Sequence, residues 1–198
     1  SIHIPIVGLV LIPSIFPSIP ILLYPIHIVF MELIIDPVCS IAFESEGEEK
    51  GIMKRPPRSK KEKLISFRKQ MNSVVEGFIL LLILIAVYWF AKFQSSHEAY
   101  IRGAVFSTLI LSNVFLFLSK MGGSGFFYEV FIQKNKTAIW LAGITVLILM
   151  LIELVPVFQK TFLFEEAQCI QILISLTGSL LFLVILEARK YYKSRKRG

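Results

Sequence analysis

Two carboxylates four positions apart sit in the otherwise apolar segment Tyr24-Pro25-Ile26-His27-Ile28-Val29-Phe30-Met31-Glu32-Leu33-Ile34-Ile35-Asp36-Pro37. At helical spacing Glu32 and Asp36 share one face. An acid at the middle of a membrane span costs roughly 2.5 to 3.5 kcal/mol on insertion scales, and a bound cation between two of them offsets that cost. Pro37 has no N–H for the carbonyl of Leu33, so a backbone oxygen is freed beside the carboxylates. Hard cations take such oxygens as ligands. Carboxylates with unwound carbonyls near mid-membrane are how transporters hold ions on discontinuous helices. Glu32, Asp36 and the Leu33 carbonyl are therefore the first candidate ligands. The competing structural reading is a pair of protonated or interhelically bonded carboxyls that join helices.

Other polar groups extend the set. Asn113 lies midway along an apolar run and can offer an amide oxygen, or an interhelical hydrogen bond instead. His3, before Pro5, is a further candidate ligand, though a satisfied buried histidine is the commoner outcome. His27 stands about 140° around the helix from Glu32 and is left out of the site. Glu76, Glu153 and Glu187 fall near the ends of apolar runs and read as interfacial. Cys39 and Cys169 read as small apolar packing residues, with no disulfide framework or zinc spacing.

The elements that must carry these groups follow from composition. Of 198 residues 55% are hydrophobic and 18% charged, mean hydropathy is +0.71 and the formal net charge is +7. Soluble domains carry about 25% charged residues, and this apolar content exceeds what one soluble core of this size can enclose. The expected fold is an all-α membrane bundle in a lipid bilayer. Five complete spans are expected to begin near Ile21, Ser73, Ala99, Lys136 and Ala167. The prolines at 13, 17, 20 and 25 split off a partial span before them, with a turn near Ser14 to Pro20. That piece, Ile2 to Ile12, reaches only about half of a ~30 Å hydrocarbon layer. With no initiator Met and no basic leader, the chain is expected to be the C-terminal part, 1–198, of a larger protein.

Lys and Arg concentrate in 44–72, a polar loop that opens with acids, and in the tail 188–198. The positive-inside bias assigns both to the cytoplasm, leaving Lys92, Arg102 and Lys160 near the opposite face. These charges read as headgroup-binding edges and require no nucleic-acid partner. No phosphate-cradling loop, nucleophile elbow or zinc-binding His-Glu-x-x-His helix occurs, so the chain is not expected to hydrolyse a nucleotide alone.

Ile52-Met53-Lys54-Arg55-Pro56-Pro57-Arg58-Ser59, followed by Lys61-Glu62-Lys63-Leu64-Ile65-Ser66, resembles the loop between membrane helices six and seven of P-type cation-transporting ATPases of the calcium-pump type. The pattern from Pro25 to Glu32-Leu33 and Asp36 is similar to that family's sixth helix. Weaker likeness runs through Arg102 to Asn113, Val155-Pro156 with Phe158-Gln159, and Glu187 with Lys190.

The resemblance implies the membrane part of a pump that is phosphorylated from ATP and moves a cation, calcium or another divalent ion ranked first. ATP and Mg would be handled only by cytoplasmic domains upstream. Those domains and the upstream helices of the same pump would be the chain's partners. It places Glu32 where the family carries an Asn and Asp36 at the family's Asp. Asn113 matches a Glu or Gln position of the eighth helix, and Arg55, Pro56, Pro57 and Arg58 match the loop that couples membrane site to phosphorylation domain. Ile35 and Pro37 depart from the family's Thr and Gly, and no acid occurs around Ile4 to Val7, which leaves a proton or a monovalent cation as alternatives. Two other function classes stay open: a channel or assembly subunit, and a membrane-embedded enzyme using Glu32, Asp36 and His27 as acid and base.

Overall fold

Proline decides where the first two helices begin and end in the computed structural model. It describes residues 2–44, 67–121, 127–132 and 135–195; for residues 35–39, 41–44, 67–69, 129, 132 and 194 only the backbone is described. Helix α1, His3–Ile15, contains Pro13 and stops ahead of Pro17. The next helix, α2, starts with Pro25 as its first residue and runs to Glu44. Proline suits a first helical position, where its missing N–H would have had no partner. The expected turn is present, but Ile21 to Tyr24 remain outside the helix, so α2 begins four residues later than Ile21. At ~1.5 Å per residue, the 13 residues of α1 are too short to cross a bilayer.

Six more helices complete the described fold: α3 Phe67–Gln94, α4 Glu98–Met121, α5 Glu129–Ile132, α6 Lys136–Leu154, α7 Pro156–Phe162 and α8 Cys169–Arg195. The expected all-α class holds, with no strand among the described residues. Four helices are long and apolar enough to span a membrane, within α3, α4, α6 and α8. In α2 the described apolar stretch covers Pro25–Ile34, and most side chains in the rest of this 20-residue helix, where the fifth expected span continues, lie outside the described residues, so four complete spans are found among the described residues. Pro156 ends α6 and opens the separate short helix α7, whose C-cap Leu163 is left-handed with φ 56°.

Helix α4 is the axis of the bundle, 78% buried over its membrane window against 28% to 39% for α3, α6 and α8. It packs on α2, α3, α5, α6 and α8. Its small residues Gly103, Ala104, Ser107, Thr108 and Ser112 let neighbours approach. A Cβ at Gly103 would lie 2.5 Å from Nε2 of Gln171 on α8. Where lipid removes the hydrophobic drive between helices, close packing and interhelical hydrogen bonds hold them together. Ser175 Oγ of α8 donates to the Ala104 carbonyl at 3.1 Å. Large apolar side chains such as Leu82, Phe93, Trp140, Val157 and Val184 point outward, as lipid-facing residues must.

Candidate functional site

The expected unwinding beside the carboxylates is absent: the backbone of α2 is helical without a break through Pro25–Glu44, and Pro37 removes one N–H donor without interrupting the helix. Glu32 is partly exposed, and its Oε1 lies 3.5 Å from Nδ1 of His3 on α1. Two candidate ligands from different helices are thus brought together. Leu33, the next residue, is 70% exposed, so the surface of α2 carrying the freed carbonyl is not covered by the described residues. The Asp36 side chain lies outside the described residues, as do Arg55, Pro56, Pro57 and Arg58. Among the described residues no three His, Cys, Asp or Glu side chains gather into a metal-binding cluster.

Asn113 lies two turns along α4 from Phe106, which meets Phe30 of α2. Tyr24 lies beside Arg102, with the guanidinium 4.7 Å from the ring centroid, and Phe30 lies beside Phe106, 6.2 Å between rings. The order of these contacts makes α2 and α4 run in the same direction. Two further turns, about 10 Å along each axis, lead from Phe106 to Asn113 and from Phe30 to Pro37. Seven residues restore the helical face to within about 20°, so Asn113 continues the side of α4 that meets α2 at Phe106. It is 6% exposed, and among the described residues neither its Oδ1 nor its Nδ2 has a hydrogen-bond partner. A buried amide left unpaired costs ~1–3 kcal/mol, and a ligand taking its oxygen would offset that.

The other end of α2 is fixed rather than open. His27 is fully buried; the Tyr24 N–H donates to its Nδ1 at 2.9 Å, and Nε2 meets the Phe162 carbonyl at 2.8 Å. With Nδ1 accepting, Nε2 carries the proton and donates. The ring stacks on Phe164 at 5.1 Å and touches Phe106 and Phe162. Sequence spacing set His27 apart from the carboxylates, and it stands apart here, as a structural cap. Arg102, buried at 5%, donates from Nε to the Ile21 carbonyl at 3.3 Å and from Nη1 to the Leu163 carbonyl at 2.6 Å. Sequence reasoning assigned Arg102 only to an interface. The missed signal was a cation within an apolar run, which needs several oxygens to be tolerated there.

The three carboxylates read as interfacial each find a polar partner on another helix. Glu153 accepts from Ser107 Oγ, Glu187 from Ser119 Oγ at 2.7 Å, and Glu76 pairs with Lys120 at 2.7 Å. Lys92 lies over the rings of Tyr88 and Trp89, a cation and aromatic grouping suited to a membrane interface. Helix α3 thus carries an interfacial cluster at its Lys92 end and an ion pair at its Glu76 end.

The sequence profile of the family described as cation transporting ATPase, C-terminus, matches residues 20–192. The match spans α2 through most of α8 and leaves α1, with His3, outside it. No curated protein matches the chain.

Proposed function

The chain belongs to the family of P-type cation-transporting ATPases, as their C-terminal membrane region, and we propose that it supplies side chains that hold the transported cation, calcium or another divalent ion, within the bilayer. The observation that carries this reading is Glu32, an acid in an apolar helix, 3.5 Å from His3 of a neighbouring helix. Supporting it are Asp36 one turn further along α2, and the buried amide of Asn113 on α4, unpaired among the described residues. In this reading the Glu32 and Asp36 carboxylates supply the negative charge, and the Leu33 carbonyl and Asn113 Oδ1 supply neutral oxygens. Oxygen-rich sets of this kind suit hard cations.

Binding and release require the site to change its exposure. We assign that change to motion of α2 against the α3, α4 and α8 core, because Glu32 is partly and Leu33 largely exposed on α2. The loop bearing Arg55, Pro56, Pro57 and Arg58 would pass the change to the phosphorylation domain. It and the basic tail would face the cytoplasm of a cell membrane, with upstream helices of the same pump covering Glu32 and Leu33. The use of His27 as a catalytic acid or base is disfavoured, since both of its ring nitrogens are engaged.

The test is phosphorylation from ATP in the full-length protein, screened with calcium, manganese, magnesium, sodium, potassium and pH. One cation should activate it, and Asp36→Asn or Glu32→Gln should abolish that dependence. Unaltered cation dependence in both variants would refute the assignment.

A further inference from the structure

Helices α1 and α3 come close at Gly8, where an added Cβ would lie 2.6 Å from the Leu81 side chain. Beyond that contact, toward the proline turn, a cavity of about 180 Å³ opens between them, lined by Leu9, Ile12 and Phe16 on one side and Ile85, Tyr88 and Trp89 on the other. Of its lining side chains only Tyr88 and Trp89 carry a polar atom.

A cation stands on those same two rings. Lys92 Nζ lies 5.6 Å from the ring centroid of Tyr88 and 5.5 Å from that of Trp89, and donates to the Tyr88 hydroxyl at 3.2 Å. Ile85, Tyr88, Trp89 and Lys92 fall within about 100° of one another around α3, so the ammonium and the cavity share one face and are joined through direct contacts. Lys92 stands close to the end of the apolar span Gln70–Gln94, the level at which Lys, Tyr and Trp meet lipid headgroups. From there the cavity extends back along the span, toward the bilayer interior.

The charge of this ammonium is not cancelled by the described residues. Tyr88 and Trp89 are neutral, and none of the ion pairs among the described residues includes Lys92. A lysine carries three N–H donors, of which the Tyr88 hydroxyl takes one. Lys92 is exposed and Trp89 is 59% exposed, so both are open to an approaching molecule. An apolar helix seated here would fill the cavity and leave the ammonium without an anion. A soluble anion would meet the ammonium and leave the hydrocarbon walls unfilled. An amphiphile with its anion at the interface and its chain below satisfies both.

We propose that Lys92 and the α1–α3 cavity bind one anionic phospholipid, its phosphate on the Lys92 ammonium and part of an acyl chain between Ile12 and Ile85. The inference needs the bilayer placement of α3 and does not depend on the identity or site of the transported cation.

The experiment uses the full-length protein purified in mild detergent and titrated with phosphatidylglycerol, whose one charge is its phosphodiester. Thermal unfolding follows the titration, and native mass spectrometry reads lipid retention. Phosphatidylglycerol should raise the unfolding midpoint and remain bound; phosphatidylcholine should act more weakly, and inorganic phosphate should do neither. Lys92→Gln should weaken the half-saturating concentration of phosphatidylglycerol roughly fivefold, and Lys92→Arg should keep the original response. The exposed position of Lys92 makes both variants compatible with folding. Ile12→Trp, which puts a larger side chain into the cavity, should weaken phosphatidylglycerol as well. Equal stabilisation by phosphatidylcholine, the same effect from inorganic phosphate, no retained lipid, or an unchanged response in Lys92→Gln would overturn the proposal.

Discussion

His27 and Arg102 hold two consecutive backbone carbonyls of one turn: His27 Nε2 donates to Phe162 at 2.8 Å and Arg102 Nη1 to Leu163 at 2.6 Å. The two residues come from α2 and α4, and the carbonyls belong to the end of α7, where Leu163 turns left-handed. Arg102 also takes the Ile21 carbonyl ahead of α2. One end of the bundle is thereby fastened by side chains that satisfy backbone oxygens which no helix can pair. Such oxygens cost several kcal/mol each when left bare in lipid. Glu32 lies beyond this fastening, beside Leu33, which is 70% exposed.

Arg102→Lys should destabilise the protein, because a single ammonium cannot reproduce a guanidinium that serves Ile21 and Leu163 from separate nitrogens. Loss of one of the two bonds leaves a buried carbonyl unpaired, at about 1–3 kcal/mol. Thermal unfolding in detergent measures it, and Arg102→Leu should be worse.

His27→Phe keeps an aromatic ring among Phe106, Phe162 and Phe164 but orphans both the Tyr24 N–H and the Phe162 carbonyl. A loss of about 1–3 kcal/mol for each orphaned group is expected. Cation dependence of phosphorylation should be unchanged in the variant that folds, since the ring faces away from Glu32. A shift in cation affinity at unchanged stability would contradict the structural role.

Gly178→Ala tests the packing of α8. The added Cβ would stand 2.7 Å from Cγ2 of Val87 and 3.1 Å from Cγ2 of Thr108. Overpacking of this kind costs roughly 1–3 kcal/mol. Val87→Ala should rescue Gly178→Ala, and a double-mutant cycle on unfolding midpoints should show the coupling.

Asn113→Leu should separate stability from function. Removing a buried amide that lacks a partner recovers part of a ~1–3 kcal/mol penalty, so the resting fold should become as stable or more stable. If the amide oxygen is a cation ligand, the same variant should need a higher cation concentration for phosphorylation. Paired unfolding and phosphorylation assays decide this, and lower stability at unaltered cation dependence would make Asn113 structural.

Glu32→Gln and His3→Ala should differ in strength. The histidine lies 3.5 Å from the carboxylate but is itself largely exposed, and exposed pairs contribute about 0–1 kcal/mol. His3→Ala should therefore shift half-maximal cation activation by less than about fivefold. Glu32→Gln should remove the dependence.

Much of this protein was legible in its residues because local rules govern them. Apolar runs longer than a bilayer's width must be helical in lipid, since only a helix pairs its own backbone there. Proline fixed the start of α2 at Pro25 and the break between α6 and α7 at Pro156 through its missing N–H. Glu32, Asp36 and Asn113 stood out because polar groups in such runs are costly enough to demand a reason. What sequence could not assign was which partner each buried polar group would meet. Arg102 reaches a carbonyl 61 positions away and His27 one 135 positions away. Helical period relates only residues on the same helix. Contacts between helices depend on how their faces are rotated against one another, and small residues such as Gly103 and Gly178 set that rotation by allowing close approach. The tertiary structure therefore decided that His27 is a cap and Arg102 a clamp, and that Lys120 of α4 pairs with Glu76 of α3.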